Sequence, residues 1–151
     1  MIGVWLQAIW DRLCGRSYQF EDEKVDWSHV PKTLDDAVNQ LIEDNRGNDE
    51  LKDLLAKGES SFVGHLHFSG GMNMRNDWGF WNYENPSDLA KWFNARGIYH
   101  ADDMSGIIYR TFYRRLKGEE ERLDEQIQNI RQHWTEHGLD PDHLFDGKPA
   151  A

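Results

Sequence analysis

Cysteine, proline and long apolar runs are what this chain has least of, and each shortage excludes something. Cys14 is the only cysteine in 151 residues, so no intramolecular disulfide and no thiolate-rich zinc site can form. A chain without disulfides suits a reducing compartment. No stretch of 18 or more apolar residues occurs, so no spanning helix is expected. The apolar opening, Met1 to Ser17, is broken by Asp11 and Arg12. It has neither a basic stretch before it nor a small-residue cleavage site after it, so a cytoplasmic location is expected. Walker, G-x-G-x-x-G and H-E-x-x-H patterns are missing too. With them go phosphate loops, dinucleotide folds and helical zinc proteases. There is no internal repeat.

Basic residues are also scarce. Seventeen Lys and Arg face 27 Asp and Glu, a net charge of −10. The imbalance is uneven: residues 1–18 carry +1, 19–60 carry −7, 61–118 carry +2 and 119–151 carry −6. A slightly basic middle between two acidic arms repels nucleic acid and anionic membranes and attracts a basic protein. Acidity of this order also serves plain solubility. What the chain has in plenty is aromatic, 13% including seven Trp and seven Phe. These side chains can hold one domain without staples, while a mean hydropathy of −0.82 implies a well-solvated exterior.

Periodicity predicts helices. Ile2, Trp5, Leu6, Ile9, Trp10 and Leu13 share one face of an amphipathic helix within residues 1–17. An exposed linker over 18–32 leads to a helical domain over 33–137, and 138–151 form a polar tail. Thr33 caps the helix of Leu34, Val38, Leu41 and Ile42, and a short helix follows through Leu51 to Leu55. The stretch 61–68 reads equally as strand or helix. Ser87 caps a helix carrying Leu89, Trp92 and Phe93. Asp102 or Asp103 caps the strongest one, where Met104, Ile108, Phe112 and Leu116 recur every four residues. A last helix opens with Glu119, Glu120 and Glu121 and carries Leu123, Ile127, Ile130 and Trp134. Together 102–137 read as an antiparallel hairpin.

Two elements stand out. Arg75-Asn76-Asp77-Trp78-Gly79-Phe80-Trp81 is one, and Asp102-Asp103-Met104-Ser105-Gly106-Ile107-Ile108 is the other. With Pro31 to Ala37 before them, they resemble a family of small bacterial proteins of unknown function that share R-N-x-W-G-x-W and D-D-M-S-x-x-I elements. The resemblance extends over about residues 30–135. It implies a mainly helical domain with the segment His67 to Arg75 helical, and it brings no activity. Ser69-Gly70-Gly71 stands where larger apolar residues are more usual in the family.

The candidate ligand or motif residues are His67, Arg75, Asn76, Trp78, Trp81, Asp102, Asp103 and Ser105. Arg75 among aromatics can clamp a carboxylate or phosphate. Equally, it can pair with Asp102 or Asp103 and fix the packing of the two elements, and this reading is preferred. Asn76 either binds a ligand or caps a turn. His65 and His67 form an H-x-H pair that could share a metal on a strand but diverges by about 200° on a helix. No metal and no cofactor is therefore expected. No catalytic residue is assigned, because no nucleophile stands in a recognised motif. Arg110, Arg114, Arg115 and Lys117 are the one basic cluster, read as an ion network with Glu119 to Glu121.

The expected fold is a single mainly α domain of five or six helices, with Trp-rich packing between 62–81 and the 102–137 hairpin. The expected function is a non-enzymatic protein-binding module of the immunity or antitoxin type, neutralising a basic partner. The alternatives are an enzyme or small-ligand binder centred on His67, Arg75, Asn76 and Trp78, and an acidic nucleic-acid mimic. No nucleic acid partner is expected, and no pattern sets an oligomeric state.

Overall fold

A computed structural model describes residues 25–144. The helix expected within 1–17, Cys14, residues 18–24 of the linker and residues 145–151 of the tail lie outside them. Every regular element described is a helix: α1 (Leu34–Asp44), α2 (Asp49–Ala56), α3 (Glu59–Ser69), α4 (Gly71–Asp77), α5 (Asp88–Asn94), α6 (Ala101–Lys117) and α7 (Leu123–Glu136). Seven replace the expected five or six because the segment through His67 and Arg75 is broken in two. Gly70 closes α3 and opens α4, and the chain bends there over α6.

Polar residues set the ends of several helices. Thr33 Oγ1 accepts from Asp36 N at 3.2 Å, Asn48 Oδ1 from Leu51 N at 3.2 Å and Ser87 Oγ from Ala90 N at 3.3 Å. Each such cap contributes about 1 kcal/mol. The expected aspartate cap on α6 is wrong. His100 is the cap, its Nδ1 accepting from Asp102 N at 3.2 Å. That moves Asp102 and Asp103 into the first turn, where the positive end of the helix favours them.

Helix α6 is the axis, packed chiefly against α3 and α1. Met104, Ile107, Ile108 and Phe112 are buried as their spacing predicts, but Leu116 is 36% exposed because it lies past the last core layer. The expected Trp-rich centre is instead phenylalanine. Phe62, Phe80, Phe93 and Phe112 are fully buried, and Trp78 is the one described tryptophan in the core. Phe62 sits edge-on to Phe112 at 5.6 Å and to Tyr113 at 5.3 Å. Full burial of one such ring contributes about 1.5–3 kcal/mol. Indole N–H groups need acceptors, which draws the other tryptophans outward. Trp27 Nε1 donates to Asn85 O at 2.9 Å and Trp134 Nε1 to Asp103 Oδ2 at 2.8 Å.

Helix α7 also differs, starting at Leu123 and not at Glu119. Gly118 (φ +69) and Arg122 (φ +48) turn the chain in left-handed conformations. Glu121 O between them accepts from Arg114 Nη1 and Gln126 Nε2, both at 2.8 Å. Across α6 and α7, Gln126 meets Thr111 at 3.3 Å, and Trp134 meets Asp103.

Candidate functional site

The two sequence elements meet at one buried side chain. Arg75, in the last turn of α4, is 6% exposed. Its Nη1 donates to Ser105 Oγ at 3.1 Å and lies 3.4 Å from His67 Nδ1. Its Nε lies 3.1 Å from Asp102 Oδ1, an ion pair, yet the N–H is not aligned on that oxygen and has no hydrogen-bond acceptor. Asp102 is in turn flanked by two imidazoles, His67 Nε2 at 4.0 Å and His100 Nδ1 at 3.9 Å. The spacing of Asp102 and Ser105 on α6, three residues apart, puts both on the side that faces α4.

Glycine makes the close approach possible. A Cβ on Gly71 would lie 2.7 Å from Arg75 Nη1, 3.2 Å from Leu66 O and 3.3 Å from Tyr109 Cε2. A larger residue there would push the guanidinium aside and press on the backbone of α3.

Of the eight residues singled out by sequence, His67, Arg75, Asp102 and Ser105 come together. Asp103 is one position on, tied to Trp134 instead. Asn76 is exposed and Trp78 is buried in the core. Trp81, 41% exposed, lies edge-on to His100 at 5.6 Å. Sequence reasoning passed over Tyr109, one turn beyond Ser105, and the capping role of His100. The i, i+3, i+7 spacing of Asp102, Ser105 and Tyr109 was the available signal.

Burial and charge tune these groups. Burial pushes the Tyr109 hydroxyl up to about 12, against the opposing charge of Arg75. Asp103 titrates above the usual carboxylate range, chiefly through burial, with the Trp134 hydrogen bond opposing. Tyr83 is raised by burial and by the Asp102 carboxylate. Ser105 is fully buried, and its Oγ donates to Asp102 O at 3.0 Å while receiving Arg75. That hydroxyl is occupied and faces no solvent, unlike an activated nucleophile. His65 and His67 diverge on α3, and no group of three or more metal-binding side chains gathers among the described residues.

The basic cluster is an ion network with a different centre from the expected one. Glu59 is the hub, bound bidentately by Arg114 at 2.9 and 3.0 Å and by Arg110 at 3.1 Å. Of the three expected glutamates, Glu121 takes part, paired with Arg115 at 2.6 Å.

A family model described as a domain of unknown function, DUF6794, matches residues 30–116, more than half the chain. The chain belongs to the DUF6794 family. The DUF6794 stretch spans Pro31 to Ala37, the Arg75 and Asp102 elements and all but the last residue of α6. It stops short of α7. No curated protein and no solved structure matches the chain.

Proposed function

We propose that this DUF6794 protein is a non-enzymatic, protein-binding module of the cytoplasmic immunity or antitoxin type, made in a bacterium and directed at a basic partner. One observation carries the reading. The polar residues of the two elements are engaged with one another, Arg75 with Asp102 and Ser105, while large apolar side chains stand in solvent beside them. Phe68 is 85% exposed and Met72 61%, one helical turn apart over the break at Gly70. Phe68 lies edge-on to His67 at 5.4 Å, and Trp81 reaches the same cluster through His100. Aromatic and methionine side chains with a buried arginine beneath them have the composition of interface centres. The acidic arms would speed encounter with a basic partner. The same reading takes α6 and α7 as an antiparallel hairpin, supported by the pairs Thr111 with Gln126 and Asp103 with Trp134.

The test is co-expression with the product of the adjacent gene, followed by co-purification. The expected result is a complex that survives in the wild type and is lost in Phe68→Ser/Met72→Ser at an unchanged melting temperature. A second reading, a small-ligand site at His67 and Arg75, draws support from the Arg75 Nε that lacks an acceptor. It would take precedence if a metabolite stabilised the wild type and Arg75→Ala, still folded, abolished that stabilisation.

A further inference from the structure

We propose that a groove on the opposite side of α4, distinct from the exposed aromatic corner, receives one basic amphipathic helix of a partner protein. The groove is a cavity of about 610 Å³ where α1, α2, α3, α4 and α6 converge, its floor formed by Leu41, Leu66, Met74, Trp78 and Phe112. A smaller cleft of about 230 Å³ continues it, sharing Leu51 and Phe112 and ending at Leu116. An apolar trough of this kind is the shape that receives the apolar face of a helix at i, i+3/i+4 and i+7 spacing.

Charge selects the occupant. The rim of the larger groove carries Asp44 and Asp77, and no Lys or Arg lines it. Helix α1 ends on Asp44 with no basic residue in its last turn. A carboxylate at the negative end of a helix dipole is misplaced, and a cation beside it relieves both charges. Asp44 makes no ion pair among the described residues. Asp77 has only His29 beside it there, at 3.4 Å. The basic residues at the smaller cleft, Arg46 and Lys52, are already paired with Glu43 and Asp49. The complement is therefore a helix with large apolar residues on one face, flanked by Lys or Arg.

The inference rests on the protein-binding reading, but groove and aromatic corner share no residue. Loss of one without the other identifies which has failed. The probe is a synthetic peptide of about 18 residues with leucines on one face and lysines on the other. It is set beside the same peptide with glutamates for lysines and a scrambled version. With the full chain, the lysine peptide is expected to shift the amides of Gln40, Asn45, Gly70 and Asn73. Asp44→Lys/Asp77→Lys is expected to weaken it about tenfold and admit the glutamate peptide. Should that variant not fold, Asp44→Asn is expected to weaken the lysine peptide about threefold. Equal binding of the scrambled peptide, shifts elsewhere, or indifference to the Asp44 variants would overturn the proposal. So would self-association that the peptide dissolves, which assigns the groove to a second copy. Nuclear Overhauser contacts between the groove and residues 1–24 in the free chain would assign it to the chain's own leading segment, with the same consequence.

Discussion

Two arginines of this protein are buried to nearly the same degree, Arg75 at 6% and Arg114 at 7% exposure, and they are used differently. Arg114 spends its guanidinium on a bidentate carboxylate and a backbone carbonyl, all within 3.0 Å. Arg75 meets one hydroxyl, one imidazole and an off-axis carboxylate, and its Nε–H has no acceptor. The first is an anchor between α3, α6 and the start of α7. The second lies under a surface of histidines and aromatics, and its partner Asp102 is 44% exposed. Burial alone does not assign a role to an arginine; the completeness of its hydrogen bonding does.

That contrast can be tested. Arg114→Met is expected to cost the most, about 2–4 kcal/mol in urea denaturation, because Glu59 and Glu121 O both lose a partner. Arg75→Met is expected to cost less, about 1–2 kcal/mol, since the half-exposed Asp102 can be rehydrated. Equal losses would make the two arginines equivalent anchors and remove the distinction.

Gly71→Ala probes Arg75 from the other side. Its Cβ meets the guanidinium, and a loss of about 1 kcal/mol is expected, together with a changed environment at Ser105 by NMR. Gly106→Ala, in α6 with nothing within 4 Å of the added carbon, is the counterpart. It is expected to stabilise by about 0.5–1 kcal/mol, the ordinary gain of alanine over glycine in a helix. The last effect is with pH and is confined to strongly alkaline solution. The Tyr109 hydroxyl, raised to about 12 from 10.0, holds its proton in the folded protein after the unfolded chain has lost it. Stability should therefore fall as pH rises from about 10 through about 12. An ultraviolet titration in which Tyr109 ionises near 10 would show that it is not held in the buried place beside Arg75.

Much of the fold was legible because it depends on local rules. Thr33 and Ser87 cap where sequence places them, since a side-chain oxygen before an apolar repeat has little else to do. The repeat Met104, Ile108, Phe112 was legible for the same reason, and it runs along the axis of the core. The cap of α6 was misread because an imidazole nitrogen can serve where a carboxylate is the habitual choice, and only the placement of His100 against Asp102 and Trp81 selects it. Of the candidate site, a pairing of Arg75 with Asp102 or Asp103 was among the readings available from sequence, whereas its hydrogen bond to Ser105 was not. Glu59 as the hub for Arg110 and Arg114 was not, because 55 residues separate Glu59 from Arg114 and no local pattern links them.

Sequence by itself determined that this is a helical domain carrying two distinctive elements, because helix periodicity, caps and each element's own residues are written within a few residues of one another. Tertiary structure decided which aromatics fill the centre, where α3 breaks and which carboxylate each arginine meets. Those choices depend on volumes and hydrogen-bond partners brought together from distant parts of the chain, where phenylalanine can be wholly enclosed and tryptophan must keep its N–H within reach of an acceptor.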